Sequence, residues 1–146
     1  MRRLNIGCGP YKREDYINID INPRQSPDIL RDITRGLPFD DSSVDHIVAS
    51  HFLEHLEVEN FMWVLEECYR VLKPEAAISV VVPLMEFTTL DHKMFFTEDS
   101  FEILFRDADV YFNRRFRWRC GSKRVEPREL NGRSCDILEI DLHAVK

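Results

Sequence analysis

Short apolar runs separated by polar turns recur along the whole chain, and their spacing shifts between a period of two and steps of three and four residues. Leu4-Asn5-Ile6 runs into Gly7-Cys8-Gly9-Pro10, a strand followed by a turn that glycine makes without steric cost. Residues 16–21 alternate apolar and polar and stop at Asn22-Pro23, predicting a second strand. Residues 28–33 form a short third strand, and a loop around Gly36, Pro38 and Asp40-Asp41-Ser42-Ser43 leads to a fourth over 45–50 with the core Ile47-Val48-Ala49. Over 57–73 the period lengthens. Val58, Phe61, Leu65, Cys68, Tyr69 and Leu72 share one helical face, acidic residues open the segment, Arg70 and Lys73 close it, and Pro74 stops it. Ile78-Ser79-Val80-Val81-Val82 is nearly continuous in apolar character, as in a central strand covered on both faces. Thr97 caps a second helix with Phe101, Leu104, Phe105 and Ala108 on its buried side. Strands over about 114–120 and 135–143 end the chain, the second alternating through Ile137 to His143 and expected to pair antiparallel within the sheet.

Strands alternating with crossovers, then a terminal strand pair, predict an α/β fold: a doubly wound, mostly parallel sheet with an antiparallel C-terminal strand pair. Ligands in such sheets sit beyond the carboxyl ends of the strands. Those ends carry Gly7-Cys8-Gly9, Asp20, Asp32, Ser50 with His51, and Pro83. A glycine turn presents backbone N–H groups to a ligand, and an acid ending the next strand can accept from both hydroxyls of a ribose. The pair points to a nucleoside-containing cofactor. A dinucleotide fingerprint would need glycine at Lys12, so NAD is disfavoured.

Composition narrows the picture. A chain of 146 residues, 44% apolar, suffices for one core, so residues 1–146 are read as a single domain. Cys8, Cys68, Cys120 and Cys135 are scattered, with no CxxC pair and no zinc spacing, the pattern of reduced thiols in a cytoplasmic protein with no metal. The longest apolar run, 76–85, is too short to span a bilayer, and no export signal is visible. A net charge of −6 argues against nucleic-acid binding through the overall field. Basic residues nonetheless gather at Arg114, Arg115, Arg117, Arg119, Lys123 and Arg124. In 115–120 the arginines share one strand face and Phe116 and Trp118 the other, which is expected to face the core.

The chain resembles class I S-adenosylmethionine-dependent methyltransferases, in their compact small-molecule branch, over roughly residues 3–105. The resemblance lies in Leu4-Asn5-Ile6-Gly7-Cys8-Gly9, in Tyr16-Ile17-Asn18-Ile19-Asp20, and in Leu37-Pro38-Phe39-Asp40-Asp41-Ser42-Ser43-Val44-Asp45. It continues through Ser50-His51-Phe52-Leu53-Glu54-His55 and Tyr69-Arg70-Val71-Leu72-Lys73-Pro74. It implies a Rossmann-like fold, S-adenosylmethionine as cofactor, and transfer of its methyl group to a small or carrier-linked acceptor. By this resemblance Gly7, Cys8 and Gly9 hold the methionine part, Asp20 the ribose, and Asp32 with Ile33 the adenine, with Asn5 and Ser50 at the flanking strand ends. The chain departs from the family at Asn5, where an acid is usual, at Tyr11 for a third glycine, and at Glu75-Ala76 for a glycine pair. Only eleven positions separate Gly9 from Asp20, too few for a normal crossover helix.

For catalysis the candidates are His51, first, and His92 in the 91–93 loop, either able to take a proton from a hydroxyl or amine. His51 and His55 lie four apart with Glu54 between, a spacing that suits a metal pair, but the order is not HExxH and no third ligand is evident. Two alternatives stand beside the enzyme: a degenerate binding or partner subunit of the same fold, and an RNA or DNA methyltransferase using the 114–124 basic face. Self-association to complete the pocket is a further expectation.

Overall fold

The computed structural model describes residues 1–85, 90–111, 116–130 and 132–146; for residues 108–111, 130 and 133 only the backbone is described. Seven strands, β1 (Arg3–Ile6), β2 (Ile17–Asp20), β3 (Ile29–Leu30), β4 (Val44–Ser50), β5 (Leu72–Pro83), β6 (Trp118–Leu130) and β7 (Arg133–Ala144), form one sheet in the order β3-β2-β1-β4-β5-β7-β6. The first five run parallel, and β7 inserts antiparallel between β5 and β6. This is the doubly wound α/β sheet with an antiparallel C-terminal pair that the hydrophobic pattern predicts. The chain leaves β1 toward β2 on one side and returns to β4 on the other, so the strand order reverses between β1 and β4.

Two helices, α1 (Val58–Val71) and α2 (Ser100–Tyr111), pack with the sheet. Ile78, Val80 and Val82 of β5 and Leu138, Ile140 and Leu142 of β7 are buried with Phe61 and Leu65 of α1 and Phe101 of α2 in one core cluster. Full burial of each such side chain contributes about 1.5–3 kcal/mol. Phe96 stacks on Phe101 at 5.4 Å between centroids, and Trp118 meets Tyr69 at 5.4 Å and Phe105 at 6.1 Å, so Phe116 and Trp118 face the core as their period requires. Val58, at the first position of α1, is 44% exposed rather than buried, because the helical face only meets the core from Phe61 onward.

The alternate positions of the central strands carry a polar row instead. Tyr16, His46, Ser79, Asp141 and Ser122 are joined in sequence by hydrogen bonds across the strands. The crossover from β1 to β2 lies toward this row as a loop with no helix. Asn5 and Asn18, each 3% exposed, hold it: Asn5 Nδ2 donates to Tyr11 O at 3.0 Å and Asn18 Oδ1 at 2.9 Å, while Asn18 Nδ2 donates to Arg13 O at 3.1 Å. Two buried amides thus supply the loop's carbonyls with donors that a helix would have supplied from its own backbone.

Three elements differ from the periodic reading: the third strand, the edge strand β6, and β5, which begins at Leu72 rather than at Ile78 because α1 ends at Val71 before Pro74. The third strand is only two residues long, because Asp32 starts a 3-10 turn at Ile33. Residues 121–130, to which no period assigns an element, continue β6 along the sheet edge, where Pro127 and alternating charges are tolerated. Arg114 and Arg115 lie outside the described residues. Among the described residues no helix is long and apolar enough to cross a membrane.

Candidate active site

At the carboxyl ends of β1, β2 and β3 a cleft of about 790 Å³ opens, its lining including Gly7, Gly9, Asp20, Asp32, His51 and Phe52. It lies at the strand-order reversal, where a doubly wound sheet leaves room for a ligand. The turn after β1 is built on two positive φ angles, +60° at Gly7 and +50° at Gly9. A Cβ on Gly7 would fall 2.3 Å from Phe52 Cδ2, so the absence of a side chain lets the turn close over that ring; a Cβ on Gly9 would meet nothing within 4 Å. Gly9 N donates to Asp20 Oδ2 at 2.8 Å, and Asn22 N donates to Oδ1 at 2.8 Å. The Asp20 carboxylate is thereby fixed in orientation with lone pairs to spare, since each oxygen can accept more than one hydrogen. Asp32 Oδ1 accepts from Thr34 N and Thr34 Oγ at 3.0 and 2.6 Å, and these bonds, with the nearby Arg35 and Arg31, hold its carboxyl below the usual carboxylate range. Ile33 and Ile21 add apolar wall on either side.

The opposite wall comes from the turn after β4 and the loop before α2. His51 takes φ +51°, a left-handed conformation that L side chains rarely adopt, while its N–H donates to Val81 O at 2.9 Å. A 3-10 turn over Leu53–His55 follows. The Glu54 carbonyl accepts from Lys93 N and Met94 N at 2.7 and 3.0 Å, which ties the 91–94 loop to this turn. Lys93 Nζ pairs with Glu57 Oε1 at 2.6 Å, and His55 Nδ1 lies 3.3 Å from both the carbonyl and the carboxylate of Asp91. His51, His55, Asp91 and Lys93 all reach the cleft wall.

Of the residues that the sequence nominates, Gly7, Gly9, Asp20, Asp32, Ile33 and His51 line the cleft together, whereas Asn5, Cys8, Ser50 and His92 do not. Asn5 is turned beneath the first crossover loop. Cys8 is 4% exposed, and burial, then Asp20, pushes its thiol pKa up, which leaves it a neutral side chain under the turn. His92 stacks edge-on against His55 at 4.9 Å between centroids, behind the wall. Sequence reasoning missed Phe52, whose signal is its place one residue past a candidate site residue, and the buried Glu54, whose only sequence signal is its place between two histidines.

Arg117 apart, the described part of the basic strip is paired within the chain. Lys123 pairs with Glu102 and Asp99, Arg119 with Glu75, and Arg124 and Arg128 with Glu126 and Glu139. Such pairing leaves little uncompensated charge for a phosphate backbone to use.

A family profile described as "Methyltransferase domain" matches residues 4–80, more than half of the chain. The chain belongs to the class I S-adenosylmethionine-dependent methyltransferases. No curated protein matches it. Among solved structures, an S-adenosylmethionine-dependent methyltransferase from Methanosarcina mazei superposes with a TM-score of 0.72 at 20% identity, over 99% of this chain and 92% of its own. One from Archaeoglobus fulgidus gives 0.66 at 17% identity, over 97% and 86%. The Burkholderia thailandensis 1,6-didemethyltoxoflavin-N1-methyltransferase, solved with 1,6-didemethyltoxoflavin and S-adenosylhomocysteine bound, gives 0.72 at 13% identity, over 99% and 71%. At these identities the superpositions show a shared fold. The methyltransferase segment contains the glycine turn, Asp20, Asp32 and His51, while Asp91, His92 and Lys93 lie beyond it.

Proposed function

We propose that this single domain is a working methyltransferase that passes the methyl group of S-adenosylmethionine to a small or carrier-linked acceptor. The observation that carries the reading is the locked pair at the strand-order reversal, a glycine turn whose Gly9 N–H holds the carboxylate of Asp20 at 2.8 Å beside an open cleft. The residues present fit the cofactor: free space around Gly9 admits a close ligand, Asp20 offers two oriented oxygens to a ribose, and Ile21 and Ile33 offer apolar surface to a base. Gly7 and Gly9 would border the methionine part, with Cys8 beneath the turn, Asp20 would hold the ribose, and Asp32 with Ile33 the adenine. When bound, the cofactor supplies an electrophilic methyl on a positively charged sulfur.

The chain's own task is alignment and exclusion of water. Phe52 and Leu56 present apolar surface in the cleft, and the 91–94 loop, pinned to Glu54, fixes the wall where an acceptor would lie. His51 lines that wall and would take a proton from a hydroxyl or amine. The paired basic strip supports a small acceptor over a nucleic acid. The alternative of a degenerate partner subunit draws on one observation, the first crossover without a helix whose N-terminus could face the cofactor.

Calorimetric titration with S-adenosylhomocysteine tests the reading. The parent protein should bind it, and Asp20→Ala, checked for folding by its melting curve, should bind at least about tenfold more weakly, as loss of charge-assisted hydrogen bonds predicts. Equal affinity in the variant would remove Asp20 from the site, and no binding by the parent would favour the degenerate subunit.

A further inference from the structure

Behind the acceptor wall lies a cluster that the methyl-transfer reading leaves without a role. Glu54 is 1% exposed, yet neither of its carboxylate oxygens has a hydrogen-bond partner, and the buried Nδ1 of His92 has none either. Each such orphan in a well-packed interior is destabilising, because its hydration is lost without replacement. Native proteins seldom leave such groups without a water, an ion or another group to complete them. The His51 ring approaches Glu54 loosely, since His51 Nδ1 lies 3.5 Å from Glu54 Oε1, too far for a sound hydrogen bond. Lys93 is committed to Glu57. One carboxylate and two imidazoles are therefore gathered around a point that lacks a positive charge: Glu54, His55 and His92 each offer a ligand atom, all within 4.8 Å of one another.

We propose that Glu54, His55 and His92 bind a divalent transition-metal ion of the zinc class. Two imidazoles and a carboxylate are the ligand set of three-coordinate protein sites that keep a fourth position open. The ion would complete the Glu54 oxygens and the His92 ring together, which no single described side chain does. Bonds of about 2.0–2.2 Å in tetrahedral geometry set ligand atoms roughly 3.3–3.6 Å apart, so the cluster has to close by little more than about 1 Å around the ion. Its supports are already in place. Asp91, 3.3 Å from His55 Nδ1 through both its carbonyl and its carboxylate, is the acceptor that orients a ligating imidazole. The two N–H bonds from Lys93 and Met94 to the Glu54 carbonyl clamp the loop that carries His92 against the turn that carries Glu54 and His55. The site adjoins the acceptor end of the cleft through His51 and His55, but it stands on these side chains alone and not on the cofactor assignment.

The protein is stripped with a chelator and titrated with Co²⁺, whose visible d–d absorption reports four-coordination, with Zn²⁺ as competitor. One equivalent should bind with strong visible bands, Zn²⁺ should displace it, and the ion should raise the melting temperature. Glu54→Gln keeps the shape and removes the charge, and His92→Ala removes one ligand; each should weaken Co²⁺ binding by at least about tenfold while remaining folded. Absence of d–d bands and of a melting shift in the parent would overturn the proposal, as would unaltered binding in both variants. S-adenosylhomocysteine affinity is scored separately on the same samples, so either assignment can fail alone.

Discussion

The two glycines of the turn after β1 share a positive φ but not a reason for being glycine. At Gly7 a side chain meets both a disfavoured backbone and the ring of Phe52, 2.3 Å from the added Cβ; at Gly9 it meets only the backbone. Gly9→Ala should cost about 1 kcal/mol, the usual penalty for a non-glycine residue at left-handed angles, while Gly7→Ala should cost about 3 kcal/mol or more as Phe52 is driven from its place. Urea unfolding of the two variants measures the difference, and equal midpoints would show that Phe52 yields without loss. His51 adopts the same region of φ with an imidazole attached. Strain of this kind, of order 1–3 kcal/mol, persists where the surrounding structure holds it and gathers at functional sites. That places the site's two left-handed positions, the glycine turn at Gly7 and the strained His51, just after the neighbouring strands β1 and β4, where the strand order reverses.

At the scale of elements, α1 is joined to the loop before β4 by a bracket of charged hydrogen bonds. Glu67 Oε2 accepts from Leu37 N at 2.9 Å, and Arg70 binds both oxygens of Glu67 at 2.9 and 3.0 Å while reaching the carbonyls of Phe39 and Leu37. Arg70→Met should leave Glu67 buried beside no cation and cost about 2 kcal/mol, discounted because the arginine is partly exposed; Glu67→Gln in the same chain should recover part of the loss. A double-mutant cycle in denaturant reads the coupling, and strictly additive losses would show that the two side chains act separately. Much of α1 is legible from its period, as are β5 and the pairing of β7, because one apolar face on a regular element leaves a repeating mark. Asn5 and Asn18 leave none: their work is to donate to a loop whose path the sequence does not reveal. The edge half of β6 is hidden by its charges and Pro127, which serve an unpaired edge rather than a core. In the site, the glycine turn, Asp20, Asp32 and His51 follow from strand ends alone. Glu54 and His92 do not, since their meeting depends on a loop 37 residues after Glu54's neighbour His55 folding back onto it, and spacing carries no trace of that return.

Across the whole molecule, the polar row on the second side of the sheet makes stability depend on pH in two stages. Asp141 accepts from Ser79 Oγ at 2.6 Å and from Ser122 Oγ, so the Ser79 hydrogen is committed and His46 Nε2, 3.0 Å away, must donate to Ser79. His46 Nδ1 is then the acceptor for Tyr16 O–H at 3.1 Å, which fixes a neutral imidazole with its proton on Nε2. Burial pulls the His46 pKa below its ordinary 6.5, opposed by Asp141 and aided by Arg3 and Arg13. The unfolded chain therefore takes up a proton at this position first as pH falls, and stability present above pH 6.5 declines below it until the folded pKa is reached. The second stage belongs to the carboxylates. Hydrogen bonds from Asn18 to Asp28, from Thr34 to Asp32 and from Arg70 to Glu67 hold all three below their ordinary values of 3.8, 3.8 and 4.5; for Asp141 burial pushes upward most, and the bonds from Ser122 and Ser79 with His46 and His143 together bring it below 3.8. Their contribution is whole above those values and is lost as pH falls through the lower folded ones. Urea midpoints measured from pH 8 to pH 3 should accordingly fall gently below about 6.5 and steeply below about 4.5. His46→Gln, which keeps a donor and an acceptor but cannot titrate, should flatten the first stage and leave the second. Were the gentle decline to persist in that variant, the proton uptake would lie elsewhere and the neutral His46 at the centre of the row would not be its source.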